Sequence, residues 1–187
     1  MEQLEAFDRA HAEFDRRVRA VPDDRWTAPT PCTEWSVRDL VNHLTAEHLW
    51  APPLLSGATL EEVGDRFDGD VLGDDPAAAW ASASAASVPA FHRPGALDLP
   101  VHTSGGRSPA EEYAWQMTLD LAVHAWDLAR GAGLDDRLDP ELAAAVLEQV
   151  LPMADALQGT PMFAAPVPVP ADAPAQDQLL GLLGRRL

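Results

Sequence analysis

Four times along this chain a capping residue stands just ahead of a run whose apolar side chains recur every three or four positions, and that repetition commits it to packed helices. Ser36 with Asp39 forms a capping box, Asp75 precedes Pro76, Ser108 precedes Pro109 and Glu111, and Asp139 precedes Pro140. Each pairing supplies an oxygen for the orphan N–H groups of a first turn, and a proline at the first helical position has no N–H to satisfy. A fifth stripe, Leu4, Phe7, His11, Phe14 and Val18, marks an amphipathic helix over residues 3–20 that Pro22 ends. The second helix is predicted over 37–50, with Leu40, Val41, Leu44 and Leu49 inward, Trp35 stapled against Leu40, and Pro52 and Pro53 breaking the chain. A short helical run at 59–64 and a Gly/Asp-rich loop lead to a third helix from Pro76 that ends before Pro94. The fourth runs from Ser108 and Pro109 to Arg130, stopping at Gly131 or Gly133, and the fifth runs from Pro140 toward Pro152.

Between these runs the sequence offers little regular structure. Residues 23–34 carry Pro29 and Pro31 and read as a loop, residues 97–103 alternate for too short a span to be more than an extended connection, and residues 166–174 form a proline-rich strap before a last short helix. There is no internal repeat and no series of strands. The expectation is an all-α fold: a four-helix bundle with an additional helix and a C-terminal strap, as a single domain over residues 1–187.

Composition narrows the function. Thirty acidic and thirteen basic residues give a formal charge of −17, which repels phosphate backbones and argues against nucleic-acid partners. No apolar stretch approaches the roughly 18 residues needed to span a bilayer. The first twenty residues interleave charge with apolar side chains, unlike a secretory signal, so a cytoplasmic protein without a membrane partner is expected. A single cysteine, Cys32, excludes an intrachain disulfide and a multi-thiolate zinc site. Any bound metal must be held by histidine and carboxylate. No G-x-S-x-G elbow, P-loop or dinucleotide fingerprint occurs.

Asp120 and His124 are four residues apart on the fourth helix, so a carboxylate and an imidazole share one face. They belong to a polar stripe with Tyr113, Gln116 and Asp127, and such a stripe in a buried helix is costly unless it is paired or binds something. His43, on the second helix, can complete three ligands with one open position. The competing reading is an ordinary polar edge, or a core histidine satisfied by Asp120 or Asp127. Glu47, one turn after His43, is a rival ligand or an outer partner of the ligands, as Asp127 is, whereas His48 is rotated away. His11, His92 and His102 share no face with a second ligand and read as surface or structural residues. Cys32 lies before a helix N-terminus, where a thiol can be activated, but a buried, inert cysteine is the favoured reading.

Three blocks, TPCTEWSVRDLVNHL at 30–44, GDRFDGD at 64–70 and DLAVHAWDLAR at 120–130, resemble the actinobacterial metal-binding branch of the DinB-like superfamily, which includes the N-terminal domain of mycothiol-dependent maleylpyruvate isomerases. The resemblance implies a four-helix bundle holding one divalent metal, zinc or alternatively nickel, on His43, Asp120 and His124. The isomerase carries glutamate where this chain has Asp120, one methylene shorter, and it has a further C-terminal domain for which this chain is expected to be too short. It also implies a mycothiol-type thiol that coordinates as thiolate and attacks a small electrophile, with Glu47 or Asp127 orienting a ligand or moving a proton. The expected protein is a metal-dependent transferase or isomerase, possible as a homodimer. The alternative is a non-catalytic helical bundle that binds metal or a small ligand.

Overall fold

The computed structural model describes residues 1–157 and 164–187. In chain order it contains α1 (Gln3–Val18), α2 (Val37–Leu55), the one-turn α3 (Leu60–Val63), α4 (Pro76–His92), strands β1 (Pro100–Thr103) and β2 (Gly106–Pro109), α5 (Ala110–Ala132), α6 (Pro140–Val150), the one-turn α7 (Ala154–Leu157) and α8 (Ala175–Leu182). Helix α1 packs on α5, α5 on α2, α2 on α4, and α4 back on α1, which closes a four-helix bundle. Helices α6 and α8 pack on each other, and α6 also lies against α1 and α5. The stripes read from the sequence point inward: Phe7, Phe14, Leu40, Leu44, Trp80, Leu121 and Leu128 have no exposed surface. Each such side chain contributes about 1.5–3 kcal/mol by leaving water.

Three of the expected caps form as the residues dictate. Ser36 Oγ accepts from Asp39 N–H while the Asp39 carboxylate accepts from Ser36 N–H at 2.9 Å. Asp75 accepts from Ala78 N–H at 3.0 Å, and Asp139 accepts from Glu141 N–H at 2.8 Å. The fourth does not form. Ser108 lies in β2, paired with Val101, and α5 begins at Ala110 without a side-chain cap. The strand ladder claims this residue, and Ala110 N–H instead reaches Leu99 O at 3.1 Å. The segment read as a mere extended connection is thus half of an antiparallel hairpin, the one sheet among the described residues. Local alternation over so few residues does not reveal a partner strand that follows a two-residue turn.

Pro52 and Pro53 do not break α2, which continues to Leu55. A proline in a helix interior costs about 3 kcal/mol. Against the roughly 6 kcal/mol of the two prolines, the extra turn buries Ala51, Leu54 and Leu55, a gain of about 3–6 kcal/mol for the two leucines together. The turn is closed by Ser56 N–H on Pro52 O at 3.2 Å, while the Arg93 guanidinium, just past α4, donates to Leu55 O. The packing of α2 on α4 therefore decides where α2 ends.

Helix α5 stops at Gly133, whose φ of 73° is left-handed, with Leu134 N–H closing onto Ala129 O at 2.8 Å. Gly131 lies within the helix and serves another purpose. A Cβ there would stand 2.9 Å from Thr30 Cγ2, 3.0 Å from Val37 Cγ2 and 3.1 Å from Pro29 O. Its absence lets the segment that precedes α2 lie directly on α5. After residue 164 the strap runs along α8, with Val167 N–H bonded to Gly181 O at 2.8 Å, and the chain turns back toward the bundle at Arg185.

Candidate metal centre

The close packing of α2 on α5 brings His43 to the face of α5 that carries Asp120 and His124. His43 Nε2 lies 2.9 Å from Asp120 Oδ2, and His124 Nε2 lies 3.2 Å from Asp120 Oδ1. One donor atom from each of the three falls within 4.8 Å of the others. Ligand atoms bound tetrahedrally at about 2.0–2.1 Å stand roughly 3.3 Å apart, so a modest spreading of the carboxylate would admit a divalent ion. The donor set, two imidazoles and a carboxylate, suits zinc or a related first-row metal. The three residues expected to converge do converge.

Asp127, one turn further along α5, acts on this trio from behind. His124 Nδ1 donates to Asp127 Oδ2 at 3.0 Å, which turns Nε2 toward Asp120 and His43 and makes it the nitrogen that could coordinate once it gives up its proton. Asp127 has no exposed surface, yet it is not stranded, because Arg185 Nη2 donates to the same oxygen at 2.9 Å and Arg185 Nε reaches Oδ1 at 3.4 Å. Burial pushes the Asp127 carboxyl up, but the hydrogen bond from His124 and the charge of Arg185 outweigh it and hold the group ionised. Burial likewise opposes charge on Asp120 and His124. Their mutual attraction, with the hydrogen bond that Asp120 accepts from His43 and the one that Asp127 accepts from His124, overcomes it, so Asp120 sits well below the usual carboxylate range and His124 is raised to about 9.

Sequence reasoning did not find Arg185, which is 58 residues from its partner and carries no periodic signal. It assigned Trp35 only a stapling role. The indole in fact lies 4.9 Å from the His43 ring and 5.7 Å from the His124 ring, roofing the cluster with an apolar surface. Cys32 is brought to the same place, with its sulfur within 4.8 Å of donor atoms on His124 and Asp127. Burial, reinforced by the Asp127 charge, pushes its thiol up, which opposes thiolate formation and fits the inert reading. Among the described residues Glu47 makes no hydrogen bond to the trio and is not part of its donor cluster. It lies one turn beyond His43 in a neighbouring cleft, and burial followed by the Asp120 charge raises its carboxyl.

The other histidines stay apart from the cluster. His48 is completely buried near Phe7 and Trp80, His11 stacks on Trp80 at 5.6 Å, and His92 bonds to Asp8 at 2.8 Å.

These features define a class: an all-α, DinB-like bundle whose second and fifth helices turn two imidazoles and a carboxylate toward one point. Within that class, residues 7–129 match the family described as the mycothiol maleylpyruvate isomerase N-terminal domain, and the chain belongs to that family. Two uncharacterised proteins from Mycobacterium tuberculosis, one from each of two strains, are 34% identical to it over 196 residues, covering 99% of this chain and 98% of the relative. The crystal structure of a mycothiol-dependent maleylpyruvate isomerase superposes with a TM-score of 0.58 at 18% identity, covering 83% of this chain and 68% of the other. That likeness is one of fold. No helix among the described residues is long and apolar enough to cross a membrane.

Proposed function

We propose that this protein is a divalent-metal-dependent transferase or isomerase that activates a low-molecular-weight thiol of the mycothiol type. The observation that carries the reading is the convergence of His43 Nε2, the Asp120 carboxylate and His124 Nε2, backed by the Asp127 and Arg185 pair that fixes the His124 tautomer. The choice of thiol is supported by the family's description, which names mycothiol. When bound, a zinc or nickel ion supplies Lewis acidity that makes a coordinated thiol a thiolate at neutral pH.

The chain's own residues perform the remaining tasks. Asp120 and the two histidines leave one side open for an exchangeable group. Trp35 excludes water from the roof and lowers the local dielectric, which strengthens the charge interactions beneath it. Glu47, a carboxylate made more basic by its burial, is placed in the adjoining cleft to accept the proton that the thiol releases. Asp120 is one methylene shorter than the glutamate implied for the isomerase, so its carboxylate reaches less far from α5. Isomerisation of maleylpyruvate itself is not part of the proposal.

The test begins with metal. Purified protein loaded with zinc or nickel should hold one ion, and His43→Ala or His124→Ala should lower affinity by at least about a hundredfold, as loss of one of three ligands demands. Unchanged affinity in both variants overturns the site. Incubation of loaded protein with mycothiol and a panel of electrophiles should give metal-dependent conjugates or isomers. No product across the panel leaves a metal-binding protein without catalysis.

A further inference from the structure

Beside the trio opens a cleft of about 690 Å³. Its inner end lies between α2 and α5, where Glu47 follows His43 by one turn and Gln116 precedes Asp120 by one turn. Its outer end is framed by α3, the loop after it and the tip of the hairpin. The charged side chains that line it are Glu47, Glu61, Asp65 and Asp68. All are carboxylates, and none is paired with a basic side chain among the described residues. Elsewhere the chain neutralises acids readily: Arg9, Arg17, Arg38, Arg137 and Arg185 all sit on carboxylates.

A second feature points to a ligand independently. Tyr113 lines the same cleft and is only 4% exposed, yet its hydroxyl has no hydrogen-bond partner among the described residues. Buried phenols ordinarily find a partner, because an unmade hydrogen bond leaves the desolvation of the hydroxyl uncompensated. Burial, and then the nearby Glu47 and Asp120 charges, raise it, so it stays a neutral phenol able to accept or donate. Trp50 and Leu54 supply an apolar wall of the cleft. An indole attracts a cation as well as an apolar stem.

We propose that this cleft binds an organic ammonium group, and that the small molecule processed beside it carries a protonated amine on a partly apolar stem. Glu47 neutralises the ammonium, the Tyr113 oxygen accepts one of its N–H bonds, and the rim carboxylates draw the cation in. A dicarboxylate is repelled by the same four groups. The apolar wall favours an organic cation over a hydrated inorganic one, which would leave Trp50 and Leu54 unused. That this molecule is the reactant rests on the metal and thiol reading above; recognition of the ammonium does not.

The test uses full-length protein, metal-free and zinc-loaded, and three probes of one shape: phenethylamine, 2-phenylethanol and phenylacetate. Binding is followed by NMR titration in ~0.15 M NaCl, where screening over about 8 Å suppresses the long-range pull of the net charge. Phenethylamine should bind at least about tenfold tighter than the alcohol, as one hydrogen bond to a charged partner implies, and phenylacetate should bind weakest. Glu47→Gln should remove that preference and Tyr113→Phe should reduce it, while Asp172→Asn, the same charge change on the exposed strap, should leave it within about twofold. Equal binding of the three probes, equal effects of Glu47→Gln and Asp172→Asn, or displacement of phenethylamine by stoichiometric calcium would overturn the proposal. Zinc binding without amine preference refutes this inference alone. Amine preference without zinc binding refutes the metal reading alone.

Discussion

Replacing Asp127 by asparagine tests the link between the buried pair and the metal trio. The side chain has no exposed surface and takes three hydrogen bonds, from His124 at 3.0 Å and from Arg185 at 2.9 and 3.4 Å. Asparagine keeps the shape but removes the charge, leaving Arg185, itself only 10% exposed, beside a neutral amide. Removing one partner of a buried ion pair costs about 3–5 kcal/mol, and Arg185 keeps its bond to Leu183 O at 3.0 Å, so about 3 kcal/mol is expected. That is a large share of the 5–15 kcal/mol typical of a whole domain. The same change frees the His124 ring to rotate or switch tautomer, which should weaken zinc binding by about 10–100-fold. Urea denaturation of the metal-free protein reads the first quantity, and chelator competition reads the second. Arg185→Met supplies the comparison: it should cost similar stability yet leave His124 bonded to Asp127, so zinc affinity should fall less. An Asp127→Asn protein within about 1 kcal/mol of wild type, with zinc affinity within about twofold, would refute the argument.

Other consequences follow from the same packing. Because His124 is raised to about 9 without metal, an entering ion must displace its proton; zinc affinity should climb about tenfold per pH unit from pH 7 toward 9, with proton release measurable in weak buffer. A flat profile across that range would show that His124 is not a ligand. His48 is held neutral in the bundle, its pKa lowered to about 3 chiefly by burial and then by the charge of His11. The unfolded chain therefore binds the extra proton as pH falls below about 6.5, and stability should drop by about 1.4 kcal/mol per unit from there toward pH 3. Urea midpoints at pH 6.5 and 5 should show a loss of about 2 kcal/mol that His48→Leu largely abolishes; an identical loss in the variant would count against it. Gly131→Ala gains up to about 1 kcal/mol of helix propensity but drives a methyl into Thr30, Val37 and the Pro29 carbonyl, for an expected net loss of about 1–2 kcal/mol in thermal or urea unfolding. A more stable protein would mean that the segment before α2 gives way freely.

The long helices were legible because their signals are local. Capping at Ser36, Asp75 and Asp139 and the stripes of Phe7, Phe14, Leu40 and Leu44 each depend on residues within a few positions of one another. The readings that missed concern places where a distant element competes with a local preference. Pro52 and Pro53 carry a strong local stop signal, which burial of Leu54 and Leu55 overrides. Ser108 carries a cap signal, which pairing with Val101 removes.

The candidate site divides in the same way. Asp120 and His124 share a face by helical geometry alone, so their association was written in the sequence, and family-like blocks around His43 marked the third member. Tertiary structure decided the rest: that α2 brings His43 Nε2 to 2.9 Å from Asp120, that Arg185 beyond α8 neutralises Asp127, that Trp35 roofs the histidines, and that the cleft beside them is lined by Tyr113 and by carboxylates without a basic partner among the described residues. A helix repeats every 3.6 residues and records its own neighbours. Contacts across 58 or 77 positions leave no period to read, because they exist only once the helices have packed and water has been driven from between them.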